Sequence, residues 1–308
     1  MTMPFKSILV GFETPEHGHD ALALGELLAR AGRAQLTAAG VYVFHPIHRE
    51  GDAEFEAIVR EEAGERIALA AELAHDPKPS LAVVRGHSRA EGLHRYAVET
   101  EADLIVVGST HHGAMGRVMT RGMPETLLHD APCAVAVAPR GYAARHPDRL
   151  ATIGVGFDDG DESRAALETA ASLARATGAR LQVIAVLDPA IGDLTPRVLA
   201  ELEYLEYEVS VRRQLERALA EAVAELDDVD AAAVTCDGPV VGELTTRSHE
   251  LDLLMLGSRC YGAVRRVLLG SVSTKVLRQA GCPVLVVPRT AAEPQPSTSA
   301  TSSAEARA

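Results

Sequence analysis

Ten short runs of apolar residues punctuate the chain. They read SILVGF, AQLTAAGVYV, LAVVRG, ADLIVVGS and CAVAVAP in the first half, and ATIGVGF, RLQVIAVL, AAAVTCDG, LDLLMLGS and CPVLVVP in the second. Most are continuous in Val, Ile, Leu and Ala, the pattern of parallel strands covered on both faces. Between them apolar residues recur at helical spacing. Leu167, Ala170, Ala171 and Ala174 make one stripe. Leu202, Leu205, Val209, Leu215 and Leu219 make another, within a long helix predicted around 195–226. Each stripe is read as a helix face packed on a core. Strand and helix in alternation predict an α/β fold, its strands joined by right-handed crossovers into a doubly wound sheet.

The pattern occurs twice. Residues 108–140 align without a gap on residues 257–289, with 13 of 33 positions identical. The starts match as well, SILVGFE against ATIGVGFD. A repeat of this length means one fold used twice. The predicted domains are 1–141 and 149–289, and the Pro/Ser-rich segment 290–308 is expected to be a disordered tail.

Composition narrows the function. The 308 residues are 47% hydrophobic and 24% charged, and only 4% aromatic, so the cores must be built from Ala, Val and Leu. A net charge of -13 argues against a broad nucleic-acid surface. No apolar run approaches the ~18 residues of a membrane span, and MTMPFKSILVGF does not read as a signal peptide. The four cysteines show no CxxC spacing, so neither a zinc ribbon nor a redox dithiol is signalled, and a reducing cytoplasm is expected. There is no P-loop and no nucleophile elbow, and no acid–base pair compels catalysis.

Candidate chemistry gathers around GSRCYGAVRRVLLGSVS, residues 257–273. Gly257 closes the fourth strand of the second half and Asp158 follows the first. In doubly wound sheets ligands bind beyond such strand ends, where the strand order reverses. Gly270 precedes Ser271 and Ser273 at a predicted helix start, where free N–H groups suit phosphate. Arg259, Arg265 and Arg266 add positive charge. Local physics supports an anionic ligand, such as a nucleotide, and equally a tight turn with a serine-capped helix.

These residues, in this order, resemble the universal stress protein family, whose nucleotide-binding members carry G-x2-G-x9-G-[ST] after the fourth strand. Gly257 matches the first glycine and Gly270–Ser271 the closing pair. Asp158 matches the aspartate near adenine and ribose, and Val186 the valine beside the base. The resemblance implies two five-stranded parallel sheets ordered 3-2-1-4-5, with helices on both faces. It implies ATP, with Mg²⁺ or Mn²⁺ accompanying it, held by Asp158, Val186, Gly257, Arg259, Cys260, Gly270, Ser271, Val272 and Ser273. It implies a nucleotide-responsive regulator of stress adaptation, with at most slow ATP hydrolysis. Pairing through the last strands is expected to join the halves as an internal pseudo-dimer, or two chains as a homodimer.

The departures are specific. Cys260 replaces the middle glycine. In the first half Glu13 replaces the aspartate, His111 the middle glycine, Arg121 the closing glycine and Gly122 the serine. The second half is therefore expected to hold the better nucleotide site. The alternative is a nucleotide-independent interaction protein that works by dimerisation or partner docking. Eleven of the twelve histidines precede residue 149. They are read as solvated loop residues, with a histidine-lined metal site as the competing reading. Cys260 is read as a tolerated small residue, with a redox-sensitive thiol as its alternative, and Cys133 and Cys282 as core.

Overall fold

The computed structural model describes residues 4–46, 51–109, 127, 131–145, 148–188, 201–258 and 270–288, without the side chains of 201–208. The tail, Arg259, Cys260, Arg265, Arg266, His111, Arg121 and Gly122 lie outside the described residues.

Each apolar run forms a strand. In the first half these are β1 (Ser7–Gly11), β2 (Gln35–Val43), β3 (Ser80–Gly86), β4 (Leu104–Gly108) and β5 (Ala134–Ala138). In the second they are β6 (Thr152–Gly156), β7 (Arg180–Leu187), β8 (Ala231–Asp237), β9 (Leu253–Ser258) and β10 (Val284–Pro288). The helices are α1 (Pro15–Gly32), α2 (Asp52–Leu73), α3 (Arg89–Glu99), α4 (Asp161–Thr177), α5 (Glu201–Ala224), α6 (Val240–Ser248) and α7 (Ser271–Gln279). Within each half the strand order is 3-2-1-4-5 and the pairing is parallel.

The two sheets do not stand apart. β5 and β10 pair antiparallel, Val135 against Val286, Ala136 against Leu285 and Val137 against Val284. The result is one ten-stranded sheet, β3-β2-β1-β4-β5-β10-β9-β6-β7-β8. This is the internal pairing expected of the last strands. It also leaves β3 and β8 as the outer edges, so the last strands have no free edge for a second chain.

Alternation along each strand divides the core between the two faces. Ile8, Val10, Ile153, Val155, Leu253 and Met255 point to the face covered by α1, α2, α4 and α5. Leu9, Ile105, Leu254 and Leu256 point to the face covered by α3, α6 and α7. Leu167, Ala170, Ala171 and Ala174 are buried, as their spacing predicts. Val209 corrects the reading of the longer helix, because it is 44% exposed. α5 has 24 residues, about 36 Å at helical rise, whereas β7 and β8 beneath it have 8 and 7. Among its described side chains, those of the C-terminal part, Ala218, Leu219 and Ala222, lie in the core.

Two aspartates tie the strand starts. Asp103 accepts the N–H groups of Lys6 and Ser7 at 2.7 and 3.0 Å. Its repeat partner Asp252 accepts those of Ala151 and Thr152 at 2.7 and 2.8 Å. A third, Asp20 on α1, accepts the N–H groups of Gly141 and Ala143, both at 2.8 Å. It fastens the segment between the halves to the first half.

Candidate functional site

β6 and β9 are parallel neighbours, with Val155 level with Met255. The chain leaves β6 for α4 on one face, and α7 lies on the other. Opposite exits leave a crevice at the carboxyl ends of the two strands. Asp158 follows the end of β6 by two residues, and Ser258 closes β9.

Asp158 is exposed, and its Oδ1 accepts the N–H of Gly160 at 3.0 Å. Its own N–H donates to Ser163 Oγ at 3.3 Å. Beside it Asp159 adopts φ 64° and pairs with Arg164. Val186 lies in β7 opposite Cys236 of β8 and is half-buried against the α6–α7 core. Asp188, just past β7, accepts the N–H of Val240 at the start of α6, at 3.4 Å. The sequence reading missed Asp188, because its contact depends on two loops meeting.

The two described glycines of the loop differ in kind. Gly257 has a reason inside the protein: a methyl group there would overlap the carbonyl of Glu162, in the first turn of α4. Gly108 is in the same position against the carbonyl of His17 in α1. Gly257 thus lets a helix seat on the sheet, and the phosphate-approach reading is not needed to explain it. Gly270 has no such reason. Its φ is -70° and ψ 162°, open to any residue, and a methyl group would meet nothing within 4 Å among the described residues. It precedes α7 as an N-cap without a side-chain bond to the first N–H groups, those of Ser271, Val272 and Ser273. Ser271 is exposed, Val272 is half-buried and Ser273 is buried.

The first-half crevice is arranged differently. Glu13, at the position of Asp158, is drawn inward, with Oε1 3.2 Å from Arg89 Nε at the start of α3. That oxygen is buried and accepts no hydrogen bond from the described residues. Burial pushes the carboxyl up from its ordinary value, with Arg89, then His17 and Arg66, opposing the shift. Nearby, the rings of His45 and His87 stack with centroids 5.4 Å apart. No group of three or more His, Cys, Asp or Glu disposed to hold a metal ion occurs among the described residues. Cys133 and Cys282 are buried, and burial pushes both thiols up to about 12, so neither is a reactive thiolate. No described helix is long and apolar enough to cross a membrane.

Two doubly wound halves, fused through their last strands and each with a crevice at its strand ends, define a class of tandem α/β proteins. A family model described as the universal stress protein family matches residues 4–139 and again 150–288, and the chain belongs to that family. Universal stress protein Rv2319c of Mycobacterium tuberculosis is 30% identical over 292 residues, spanning 92% of this chain and 99% of that protein. A universal stress protein of Thermus aquaticus is 36% identical over 141 residues, 44% of this chain and 97% of its own length. The crystal structure of a universal stress protein from Archaeoglobus fulgidus shares the fold, with a TM-score of 0.63 at 18% identity, covering 93% of this chain and 97% of that one.

Proposed function

We propose that the chain is an ATP-binding universal stress protein of the reducing cytoplasm, whose second half holds the nucleotide and reports its presence to the rest of the molecule. The observation that carries this reading is Gly270. A glycine with ordinary φ, open space above it and an uncapped helix behind it has no use to the fold that the described residues reveal. Close approach of a phosphate to the N–H groups of Ser271, Val272 and Ser273 supplies one. Asp158, exposed across the crevice, and Val186 are the groups assigned to the adenosine. Gly257 shapes the crevice floor, and Arg259 and Cys260 complete the loop. Mg²⁺ or Mn²⁺ accompanies the phosphates. No residue is assigned to activate water, so the role is regulatory. In the first half the Glu13–Arg89 pair occupies the corresponding corner, which argues for a single nucleotide per chain.

The test is calorimetric titration of ATP into nucleotide-stripped protein, with Gly270→Arg alongside, the residue that the first half carries as Arg121. Binding near one per chain, lost in the variant, is expected. No binding to the parent would sink the proposal and favour the nucleotide-independent interaction protein.

A further inference from the structure

Away from both crevices, a cavity of about 210 Å³ opens where α1, the end of α2 and the segment between the halves meet. Leu22, Ala23, Leu73 and Ala143 supply its apolar wall, and Glu26 and Asp148 its carboxylates. His19, His75 and Arg30 complete it.

Glu26 is the unusual member. Its side chain is only 5% exposed. Oε1 accepts the N–H of His75 at 2.6 Å, and Oε2 stands 3.9 Å from His75 Nδ1, beyond hydrogen-bond reach. An ionised carboxylate has about four acceptor sites, and among the described residues only the His75 N–H donates a hydrogen bond to it. Burial pushes its carboxyl above the ordinary value, with His75, Arg30 and Lys78 opposing the shift. A buried carboxylate beside open space asks for a cation.

The surroundings narrow which cation. The described residues offer no metal-holding group of three or more ligands. An anion would face Glu26 and Asp148. Arg30 already directs one Nη to the carbonyl of Asp76. A donor on a short hydrocarbon chain satisfies the rest: ammonium hydrogens on Glu26, methylenes on Leu22, Ala23 and Leu73. We propose that this cavity is a second ligand site, taking a small primary alkylamine with its ammonium on Glu26. Ala143 and Asp148 belong to the segment that Asp20 clamps, so an amine bound here touches the connection between the halves.

The test uses the full chain, with butylamine and 1,4-diaminobutane as probes and 1,4-butanediol as the uncharged control, titrated by calorimetry at pH 7.5. Saturable binding of one amine per chain is expected, with none of the diol. Glu26→Gln keeps the acceptor for His75 but removes the charge, and it should weaken amine binding at least ~10-fold. If that variant does not fold, Ala23→Leu, which fills the cavity, must abolish binding instead. Gly270→Arg should leave amine binding unchanged, which separates this site from the proposed nucleotide site. The proposal is overturned by no saturable amine binding, by equal binding of amine and diol, or by a folded Glu26→Gln or Ala23→Leu that binds as the parent does. The first of these would mean that the cavity holds only water, the second that the charge on Glu26 selects nothing, and the third that the amine binds elsewhere.

Discussion

Gly257 and Gly270 sit in one loop, yet substitution should separate them. Gly257→Ala forces a methyl group onto the carbonyl of Glu162. It is expected to cost about 1–3 kcal/mol in denaturant unfolding, by overpacking. Gly270→Ser places an N-cap side chain where φ permits one. Stability should be unchanged or rise by roughly a few tenths of a kcal/mol, while ATP affinity falls. Loss of stability in Gly270→Ser would remove the argument that this glycine serves a ligand. Glu26 gives a pH signature. Its folded pKa lies above 4.5, so between those two values the native state holds more protons than the unfolded chain. Stability from this group is therefore present at low pH and declines as pH rises through that window. Urea unfolding from pH 4.5 upward should show a shallower decline in Glu26→Gln than in the parent. A parallel decline would mean that the carboxyl is not desolvated in solution.

At the scale of elements, the repeated aspartates before β4 and β9 act as clasps for the start of β1 and β6. Asp252→Ala leaves the N–H groups of Ala151 and Thr152 without their carboxylate. A loss of about 2–4 kcal/mol is expected in equilibrium unfolding, since hydrogen bonds to charged groups contribute more than neutral ones. Asp103→Ala should cost a similar amount, given its matching pair of bonds. A negligible loss in both would show that water replaces the clasp. The strands themselves were legible: each apolar run became a strand within a few residues of its quoted ends, because the inner strands, covered on both faces, are apolar nearly throughout, and the more exposed edge strands β3 and β8 keep enough Ala, Val and Leu to be read. α5 was legible in type but not in burial. Periodicity reports which face of a helix is apolar, and it cannot report how far the neighbouring sheet extends beneath it.

For the whole molecule, the β5–β10 pairing makes two halves into one sheet. Ala134, Ala136 and Ala138 face the same core as Leu285 and Val287, so small side chains on one strand meet large ones on the next. Residues 149–289 alone would expose the pairing edge of β10 with nothing to cover it. That fragment is expected to associate in pairs, at twice its monomer mass by light scattering, whereas the full chain has its last strands already paired. A monomeric fragment would show that the edge needs no cover.

The chain's own pattern determined the strands, the doubly wound α/β class and the twofold repeat, because hydrophobic period and internal identity are local and can be read residue by residue; the strand order 3-2-1-4-5 came from the family resemblance. It also marked the glycine loop and Asp158. Only the tertiary structure decided that β5 meets β10 rather than another chain, since either partner would satisfy the same backbone edge. It likewise separated the two crevices, drawing Glu13 inward to Arg89, 76 residues away, while leaving Asp158 exposed and bonded only locally, to Gly160 and Ser163 among the described residues. The cavity at Glu26 arises from α1, the end of α2 and the connecting segment closing around one carboxylate, a meeting that no spacing along the chain encodes.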